Sequence, residues 1–260
     1  MAEDWINPDD YDLTPRPVVG IGNQYPPSFE LAAHSHRRGQ LLYAASGVVV
    51  VSTAHGAWVA PPERAVWTPA GMTHAVRMVG QVVTRSVLLD QATSAVLGDD
   101  SQVIAVSPLL RNLLIAACEA PLDYDVDGRD GLIMALLIAE LGRAPRLPFS
   151  APFPASPALA ALCHAFLERP SSHDTIDRWA EALAMDRRSF TRRFRRETGM
   201  SFGAWRQQAL LVAALPLLAE GRSVTAVALD LGYDSPAAFS TMFRRLTGKP
   251  PSLYAADQGV

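Results

Sequence analysis

The chain has 260 residues, a length that suits one large domain or two modest ones. Its composition, with 49% hydrophobic and 19% charged residues, is that of a globular protein and excludes a disordered chain. The net charge of −3 is divided unevenly, because residues 1–170 carry 11 Arg and 17 acidic residues, whereas residues 171–260 carry 12 basic and 9 acidic residues. We therefore expect only the second part to meet a polyanion.

The sequence carries no signal for export or for insertion into a membrane. Its acidic start lacks the basic and apolar regions of a secretory signal, and its longest apolar stretches, such as 210–219, are too short for a membrane span. The two cysteines, Cys118 and Cys163, are too few for a disulfide framework. We therefore expect a cytoplasmic protein without a membrane partner.

Residues 29–89 contain short apolar runs separated by Gly, Pro or His-Gly, which predicts the antiparallel strands of a sandwich or small barrel. Helices are predicted next at 107–119 and 129–141, the first introduced by Ser107 as N-cap and a proline at the first helical position. Their apolar residues exceed a single amphipathic stripe. We therefore expect each helix to bury two faces, one of them in a homodimer.

Five prolines lie between residues 142 and 157, which predicts an extended linker with a domain boundary after residue 150. Pro216 falls within a later predicted helix and is expected to kink it or end it early. The helices predicted after the linker are, in order, 157–168, 174–184, 187–197, 201–220, 224–231 and 236–246.

The last third of the chain contains a repeat. The segment FRRETG at 194–199 recurs as FRRLTG at 243–248, and Phe190 has its counterpart in Phe239 at the same offset. Each copy is predicted to be a helix, a short turn and a second helix, which is the helix-turn-helix unit. Asp186 and Ser235 are the expected N-caps of the two second helices.

The residues of the repeat resemble a known family. Residues 156–257 resemble the DNA-binding domain of the AraC/XylS family of bacterial transcription regulators, and the resemblance is carried by Trp179-Ala180, FRRETGMSF (194–202), Trp205-Arg206, EGRSVTAVALDLGYDSPAAF (220–239) and Pro251 with Tyr254. The resemblance implies that double-stranded DNA is the partner and that each second helix is a recognition helix.

The residues expected to contact DNA differ between the two copies. Those of the first helix are Arg188, Thr191, Arg192, Arg195 and Arg196, and those of the second are Pro236, Ala237, Ser240, Thr241, Arg244 and Arg245. Arginine suits phosphates and guanine edges. The second set can supply few hydrogen bonds to base edges, so we expect it to recognise phosphates or DNA shape.

The N-terminal half contains the pattern His34-x-His36-x3-Gln40-x6-Gly47, followed by Pro69-x-Gly71-x2-His74. It resembles the two motifs of the cupin superfamily, with Gln40 where the enzymes of that superfamily usually have Glu. On a strand the first two histidines face the same side, so they are able to converge with His74.

Two interpretations of this pattern stay open. In the first, His34, His36, Gln40 and His74 hold one divalent metal ion, namely Zn, Mn, Fe or Ni. In the second, which the weak neutral ligand Gln40 favours, the same residues line a metal-free effector pocket, and metal is present at less than one ion per chain. The residues expected to contact an effector are Tyr43, Trp58, Trp67 and His74.

We therefore predict an α+β protein of two domains. Residues 1–150 form a cupin-type antiparallel β-barrel with following helices, for effector sensing and dimerisation, and residues 151–260 form an all-α double helix-turn-helix domain. The resemblance implies a transcription regulator, an activator or a repressor, that responds to a small molecule. An activator would also contact RNA polymerase.

The segments QLLYAASG and WTPAGMTH are similar to segments of regulators that control neighbouring efflux-transporter genes. The main alternative is a metal-dependent cupin oxygenase or isomerase fused to a DNA-binding domain. We predict no enzyme, because Gln40 replaces the carboxylate and the motifs offer no other acid or base. A constitutive architectural DNA binder would leave the histidines without a role.

Overall fold

A computed structural model describes residues 11 and 14–256 of the chain. The chain divides into two compact units, the first running to Thr53 and from Trp58 to Leu147, and the second containing Ala54–Ala57 and everything from Pro148 onward. The boundary thus falls three residues before the expected one. The short segment Ala54–Ala57, which precedes the linker by ninety residues, belongs to the second unit.

The first unit is built on an antiparallel sheet. The strands are, in chain order, β1 (Val18–Tyr25), β2 (Glu30–His34), β3 (Gly39–Thr53), β4 (Gly56–Ala60), β5 (Arg64–Thr68), β6 (His74–Leu89), β7 (Gln102–Ala105) and β8 (Arg146–Leu147). The hydrogen-bonded order is β1-β6-β3-β5-β7-β8, with β2 on β6 and β4 on β3. The predicted antiparallel sheet is confirmed, although it begins at Val18 and not at residue 29.

Two long strands replace several of the predicted short ones. The runs on either side of Gly47 belong to one strand, β3, which pairs with β6 along most of its length. Gly47 has a positive φ of 69° and lies where the β3–β6 register shifts, and Gly80 on β6 has a φ of 74°. A Cβ on Gly47 would lie 2.7 Å from a methyl carbon of Val82. The motif glycine therefore marks a bulge that bends the strand, and not its end.

Two helices cover one face of this sheet. Helix α1 (Gln91–Ser94) is a single turn, and it is followed by α2 (Pro108–Glu119) and α3 (Arg129–Arg143). The Ser107 hydroxyl accepts a hydrogen bond from the amide of Leu110, which confirms the predicted N-cap. Helix α2 packs closely on β1, because a Cβ on Gly20 would lie 2.1 Å from the carbonyl oxygen of Ala117.

The second unit is helical apart from the short strand β9 (Ser150–Pro152). Its helices are α4 (Pro157–Glu168), α5 (Ile176–Ala182), α6 (Arg187–Thr198), α7 (Phe202–Ala219), α8 (Val224–Asp230), α9 (Pro236–Thr247) and α10 (Ser252–Ala256). Helices α5 and α6 form the first helix-turn-helix unit, α8 and α9 form the second, and α7 joins them. The predicted all-α double helix-turn-helix domain is therefore confirmed.

Pro216 does not end α7, so the early break predicted from sequence is wrong. The helix continues to Ala219, and Pro216 itself is buried together with Leu215 and Leu218. Proline costs α7 the amide bond to the carbonyl of Val212. Burial on several sides of the helix offsets that loss, since most of its residues are inaccessible to solvent.

The sequence repeat gives α6 and α9 the same type of C-terminus. Gly199 and Gly248 have φ angles of 73° and 76°, and their amides donate to the carbonyls of Arg195 and Arg244. The hydroxyls of Thr198 and Thr247 each donate to the carbonyl four residues earlier, at 2.7 and 3.0 Å. The Thr-Gly pair thus terminates α6 and α9 by a left-handed C-cap. The predicted N-caps Asp186 and Ser235 are also confirmed.

Among the residues described, no helix is both long enough and apolar enough to cross a membrane.

The Gly199 cap yields a test of backbone strain. Gly199→Ala should lower the free energy of unfolding by about 1–2 kcal/mol, because the new Cβ meets no atom within 4 Å and the cost is that of the left-handed conformation alone. Urea denaturation measures the change. Gly203→Ala is the control, since this exposed helical glycine also has open space around it, and the substitution should be neutral or stabilising. If both variants lost the same free energy of unfolding, the left-handed C-cap at Gly199 would be contradicted.

Candidate functional site

The first recognition helix, α6, buries one face and presents a cationic face. Phe190 and Phe194 are fully buried, with ring centroids 5.6 Å apart, and they anchor the helix in an aromatic core. The side chains of Arg188, Arg192 and Arg195 are exposed and follow one another at intervals of four and three residues. These three guanidinium groups therefore form one row on the surface of α6.

The charges of this row are not neutralised within the part of the chain that is described. Arg187 is bound to Asp177 at 2.9 Å, Arg193 to Glu197 at 3.0 Å, and Arg196 lies 3.7 Å from the same Glu197. No described carboxylate comes within 4.0 Å of Arg188, Arg192 or Arg195. The partnered arginines fix the helix, and the others remain available to a polyanion.

The second recognition helix, α9, is less cationic, as expected from sequence. Ala237 and Thr241 are exposed, and Pro236 and Ser240 are half-buried. The Thr241 hydroxyl donates to the carbonyl of Ala237 at 2.9 Å, and Arg245 donates to the side-chain oxygen of Gln207 at 2.6 Å. Arg244 is exposed as well. This helix therefore offers two hydroxyls and two guanidinium groups.

A cleft beside α9 is lined partly by residues outside the set expected to contact DNA. It has a volume of about 260 Å³, and Arg206 and Gln207 of α7 line it together with Tyr233, Thr241 and Arg245. Burial raises the pKa of Tyr233 to about 12, so its hydroxyl stays protonated. Arg206 and Tyr233 lie within segments that carry the family resemblance, whereas no motif included Gln207.

In the first unit, the three predicted histidines lie together. His34 ends β2 and is the register partner of His74 at the start of β6, and His36 follows in the adjoining loop. The ring centroids of His34 and His74 are 4.4 Å apart, and those of His36 and His74 are 5.1 Å apart. One ligand atom from each lies within 4.8 Å of the others. The amide of Gly71 donates to the carbonyl of His36 at 2.9 Å and so ties the two motifs together.

Backbone carbonyls orient all three imidazoles. The Nδ1 atoms of His34, His36 and His74 lie 2.7, 2.7 and 2.9 Å from the carbonyl oxygens of Ala32, Arg38 and Met72. These contacts place a proton on Nδ1 of each ring, so Nε2 is the nitrogen that carries the lone pair when the ring is neutral. Each acceptor is two residues away in sequence, so the local backbone conformation orients the ring.

His74 is the most enclosed member of the cluster. It is 1% exposed, and its Nε2 atom has no hydrogen-bond partner among the residues described. Burial, together with the neighbouring His34 and His36, lowers the pKa of His74 to about 4. The imidazole is therefore neutral near pH 7 and presents a buried lone pair.

Gln40 also reaches the cluster, because its side-chain oxygen lies 3.3 Å from Nε2 of His36. Nδ1 of His36 donates to the carbonyl of Arg38, so in the neutral ring Nε2 is an acceptor that faces the acceptor oxygen of Gln40. Two facing acceptors are satisfied by a shared cation, or by an amide rotated so that its NH₂ group donates.

The aromatic residues predicted to contact an effector do not join the histidines. Tyr43 and Trp67 belong to the core that packs under α2 and α3, beside residues such as Leu110 and Leu114. Side chains alternate along a strand, so Tyr43 faces away from Gln40, three residues earlier on β3. The indole of Trp67 donates to the carbonyl of Gly98, and the buried Trp58 donates to that of Ser101. Of the four residues expected to contact an effector, only His74 lies in the cluster.

A separate cleft of about 410 Å³ lies on β1 beside the end of α2, and the motifs gave no indication of it. Gly20, Gly22, Arg85 and Cys118 are among the residues that line it. Burial raises the pKa of the Cys118 thiol to about 12, so the group is a protonated thiol at neutral pH.

Comparison with known proteins identifies relatives of both units. The family model of an AraC-like ligand binding domain matches residues 18–176, and that of a helix-turn-helix domain matches residues 179–257. The HTH-type transcriptional regulator NimR of Escherichia coli (strain K12) is 30% identical over 223 residues, which cover 86% of this chain and 81% of NimR.

Two further proteins are similar over different lengths. The regulatory protein SoxS of Escherichia coli (strain K12) is 42% identical over 64 residues, which cover 24% of this chain and 60% of SoxS. The crystal structure of ToxT from Vibrio cholerae O395 covers 94% of this chain and 99% of its own, with 10% identity and a TM-score of 0.40.

The position of Trp67 in the core leads to a stability prediction. Trp67→Ala should lower the stability of the first unit by about 3–5 kcal/mol, because the substitution leaves a cavity under α2 and α3. Leu229→Ala is the control, since this leucine is 58% exposed and its truncation should change stability by less than about 0.5 kcal/mol. Urea unfolding followed by far-UV circular dichroism measures both. A stable Trp67→Ala protein would contradict the core assignment.

Proposed function

This chain belongs to the AraC family of transcription regulators, and on that premise we propose that it is a homodimeric regulator whose histidine cluster senses a small molecule. Binding at the cluster changes the affinity of the double helix-turn-helix domain for a specific DNA site. The row of arginines on α6, without carboxylate partners among the described residues, is the observation that carries DNA recognition.

DNA contacts are divided unequally between the recognition helices in this proposal. Arg188, Thr191 and Arg192 lie toward the start of α6 and contact base edges, whereas Arg195 and Arg196 contact phosphates. On α9, Arg244 and Arg245 bind phosphates, and the remaining predicted residues, Pro236, Ala237, Ser240 and Thr241, follow the shape of the groove. Specificity therefore rests mainly on α6.

The cluster, in our proposal, holds a divalent metal through Nε2 of His34, His36 and His74 and the side-chain oxygen of Gln40. The donor set fits such an ion, because the unpartnered buried nitrogen of His74 and the two facing acceptors of His36 and Gln40 are both satisfied by a cation. Zn, Mn, Fe and Ni all accept imidazole ligands. When bound, the ion supplies a Lewis-acidic centre for an anionic or carbonyl-bearing effector.

The protein is proposed to have no enzymatic activity. The metal-ligating side chains that converge in the described part of the first unit are three histidines without a carboxylate, and Gln40 cannot transfer a proton as an acid or base. A metal-dependent oxygenase or isomerase would consume the compound that it binds. The regulator should return it unchanged, so recovery of the intact effector after a shift in DNA affinity separates the two functions.

The remaining partners follow from a role at a promoter. We place the protein in the cytoplasm, where bacterial DNA is accessible, and we propose contact with RNA polymerase if it activates transcription. The resemblance to regulators of efflux genes points to a neighbouring transporter gene as the target. Transcript levels of the flanking genes in a deletion strain test that assignment and distinguish activation from repression.

Arg192 provides the test of base recognition. Arg192→Ala should weaken binding to a DNA site selected from a random library by about 1–3 kcal/mol and relax the preference for that site, because a bidentate base contact is lost. Arg195→Ala and Arg196→Ala should weaken binding to all sequences alike and reduce its salt dependence. Arg129→Ala, in the first unit, is the control. Fluorescence anisotropy at several salt concentrations measures these effects, and equal loss on selected and random DNA for Arg192→Ala would exclude base recognition.

Removing one imidazole tests the metal site. His74→Ala should lower the affinity for Zn²⁺ at least about tenfold, as measured by chelator competition with untagged protein, whereas His173→Ala in the second unit should leave it unchanged. His74→Ala should also blunt the effector response and leave effector-free DNA binding nearly intact. Equal Zn²⁺ affinity in both variants, or metal-free protein that still responds, would favour the bare pocket.

The homodimer is proposed to form through the outer face of α3. Leu132 and Leu136 are 67% and 45% exposed, and Ala135 and Ala139 are also exposed, so an apolar stripe lies opposite the buried Met134, Leu137 and Leu141. A second copy of the chain can cover this stripe with its own, as in a two-fold symmetric interface.

Sedimentation of the full chain tests this interface. The wild type should be a dimer at micromolar concentration, and the double variant Leu132→Glu, Leu136→Glu should be a monomer, because charges would then face charges across the two-fold axis. Leu229→Glu, at an exposed leucine of the second unit, should remain dimeric. A monomeric wild type would contradict the proposal.

A further inference from the structure

The tip of the β3–β4 hairpin is a structural part of the DNA-binding unit. Ala54–Ala57 groups with the second unit, although the residues on either side belong to the first. The carbonyl oxygen of His55 accepts a hydrogen bond from the amide of Phe153 at 2.7 Å. Phe153 is buried, and its ring centroid is 4.2 Å from that of His164 on α4. We call residues 54–57 and 150–153 together the strap.

The strap is bonded to the aromatic core beneath the first recognition helix. The carbonyl oxygen of Pro152 accepts a hydrogen bond from the indole Nε1 of Trp205 at 2.7 Å. Trp205 is fully buried near the start of α7, and its ring lies 5.8 Å from that of Phe194 on α6. A displacement of the strap therefore acts on the residue that supports α6 and begins the helix joining the two DNA-binding units.

The other end of the strap adjoins the histidine cluster along the chain. Thr53, the residue immediately before the tip, is the register partner of His74 in the β3–β6 ladder. Both residues are buried. Because Thr53 continues covalently into Ala54, a change in the backbone at His74 passes to the tip through one strand pair and one peptide bond.

From these contacts we propose that the strap transmits the state of the histidine cluster to the DNA-binding unit. Ligand binding at His74 shifts Thr53 and the tip, and the hydrogen bond between Pro152 and Trp205 differs between the two states of the protein. The inference rests on the proposed sensing role of the cluster. By linkage, DNA binding changes ligand affinity by the same factor that the ligand changes DNA affinity.

Tryptophan indole signals make the strap directly observable. The full chain labelled with ¹⁵N-tryptophan has five indole groups, and single Trp→Phe variants assign their NMR signals. Trp179 is an internal control, because its indole donates to Asp174 and its ring lies 5.5 Å from that of Trp205 in the same core, without a hydrogen bond to the strap. Amide hydrogen exchange of the peptide containing Phe153 reports on the other contact of the strap.

The first of two experiments uses Zn²⁺ as the ligand of the histidine cluster. We expect Zn²⁺ to shift the Trp205 signal and change the exchange of the Phe153 amide at the concentration that saturates the cluster, with the Trp179 signal unmoved. In Trp205→Phe, Zn²⁺ should bind as in the wild type, but its effect on DNA affinity should be at least about fivefold smaller than in the wild type or in Trp179→Phe. If Zn²⁺ binds stoichiometrically while the Trp205 indole signal and the amide exchange at Phe153 stay unchanged, the proposed role of the strap is wrong.

The second experiment uses no ligand, so its result does not depend on whether the cluster binds a metal. If Zn²⁺ does not bind, the metal proposal is wrong, and the role of the strap is tested with the variant His74→Ala. His74→Gln replaces it if His74→Ala does not fold. Retained signals from Trp58 and Trp67 show that the first unit is folded. A shifted Trp205 signal and altered exchange at Phe153 support the strap, and unchanged values in the folded variant overturn it.

Discussion

The bend in the two longest strands is the constraint on which the histidine cluster depends. A straight strand from Gln40 to Thr53 would span about 43 Å. Yet Gln40 lies 3.3 Å from His36, whose ring is 5.1 Å from that of His74, and His74 is paired with Thr53 at the other end of β3. The strands must therefore curve, and they do so where Gly47 and Gly80 adopt positive φ angles and the register shifts. Without that curvature, Gln40 and His74 could not contribute to one site.

Short-range contacts with the backbone fix the orientation of the three imidazoles in the histidine cluster. Three Nδ1 atoms donate to carbonyls two residues away, and burial keeps the most enclosed ring neutral. A neutral His74 avoids the cost of a buried charge beside two other imidazoles. Its buried lone pair on Nε2 suits a cation or a hydrogen-bond donor on an effector.

The two DNA-binding units share a framework but differ in surface chemistry. Buried phenylalanines and Thr-Gly C-caps are the same in α6 and α9, and each helix has a side-chain N-cap, Asp186 or Ser235, because the repeat preserves the positions that build the helix. The exposed residues differ, with a row of arginines on α6 and small side chains at the start of α9. This difference is the basis of the proposed division, in which one unit supplies sequence discrimination and the other adds affinity.

The sequence by itself determined the two-part α+β organisation, the helix-turn-helix repeat with its caps, and the grouping of three histidines. These features depend on local preferences: the period of apolar residues, the capping side chains, and the alternation that puts His34 and His36 on one side of a strand. The family resemblance added the DNA-contacting positions, which a helix with Phe190 and Phe194 buried must expose.

Only the tertiary structure decided the features that depend on packing between distant residues. Tyr43 and Trp67 belong to the helix-covered core, and sequence could not show which sheet face the helices cover. Gly47 bends a strand that the pattern divided in two, and Pro216 stays within α7 because surrounding burial offsets its lost hydrogen bond. The attachment of Ala54–Ala57 to the DNA-binding unit involves residues almost a hundred positions apart, and no local preference encodes a contact at that distance.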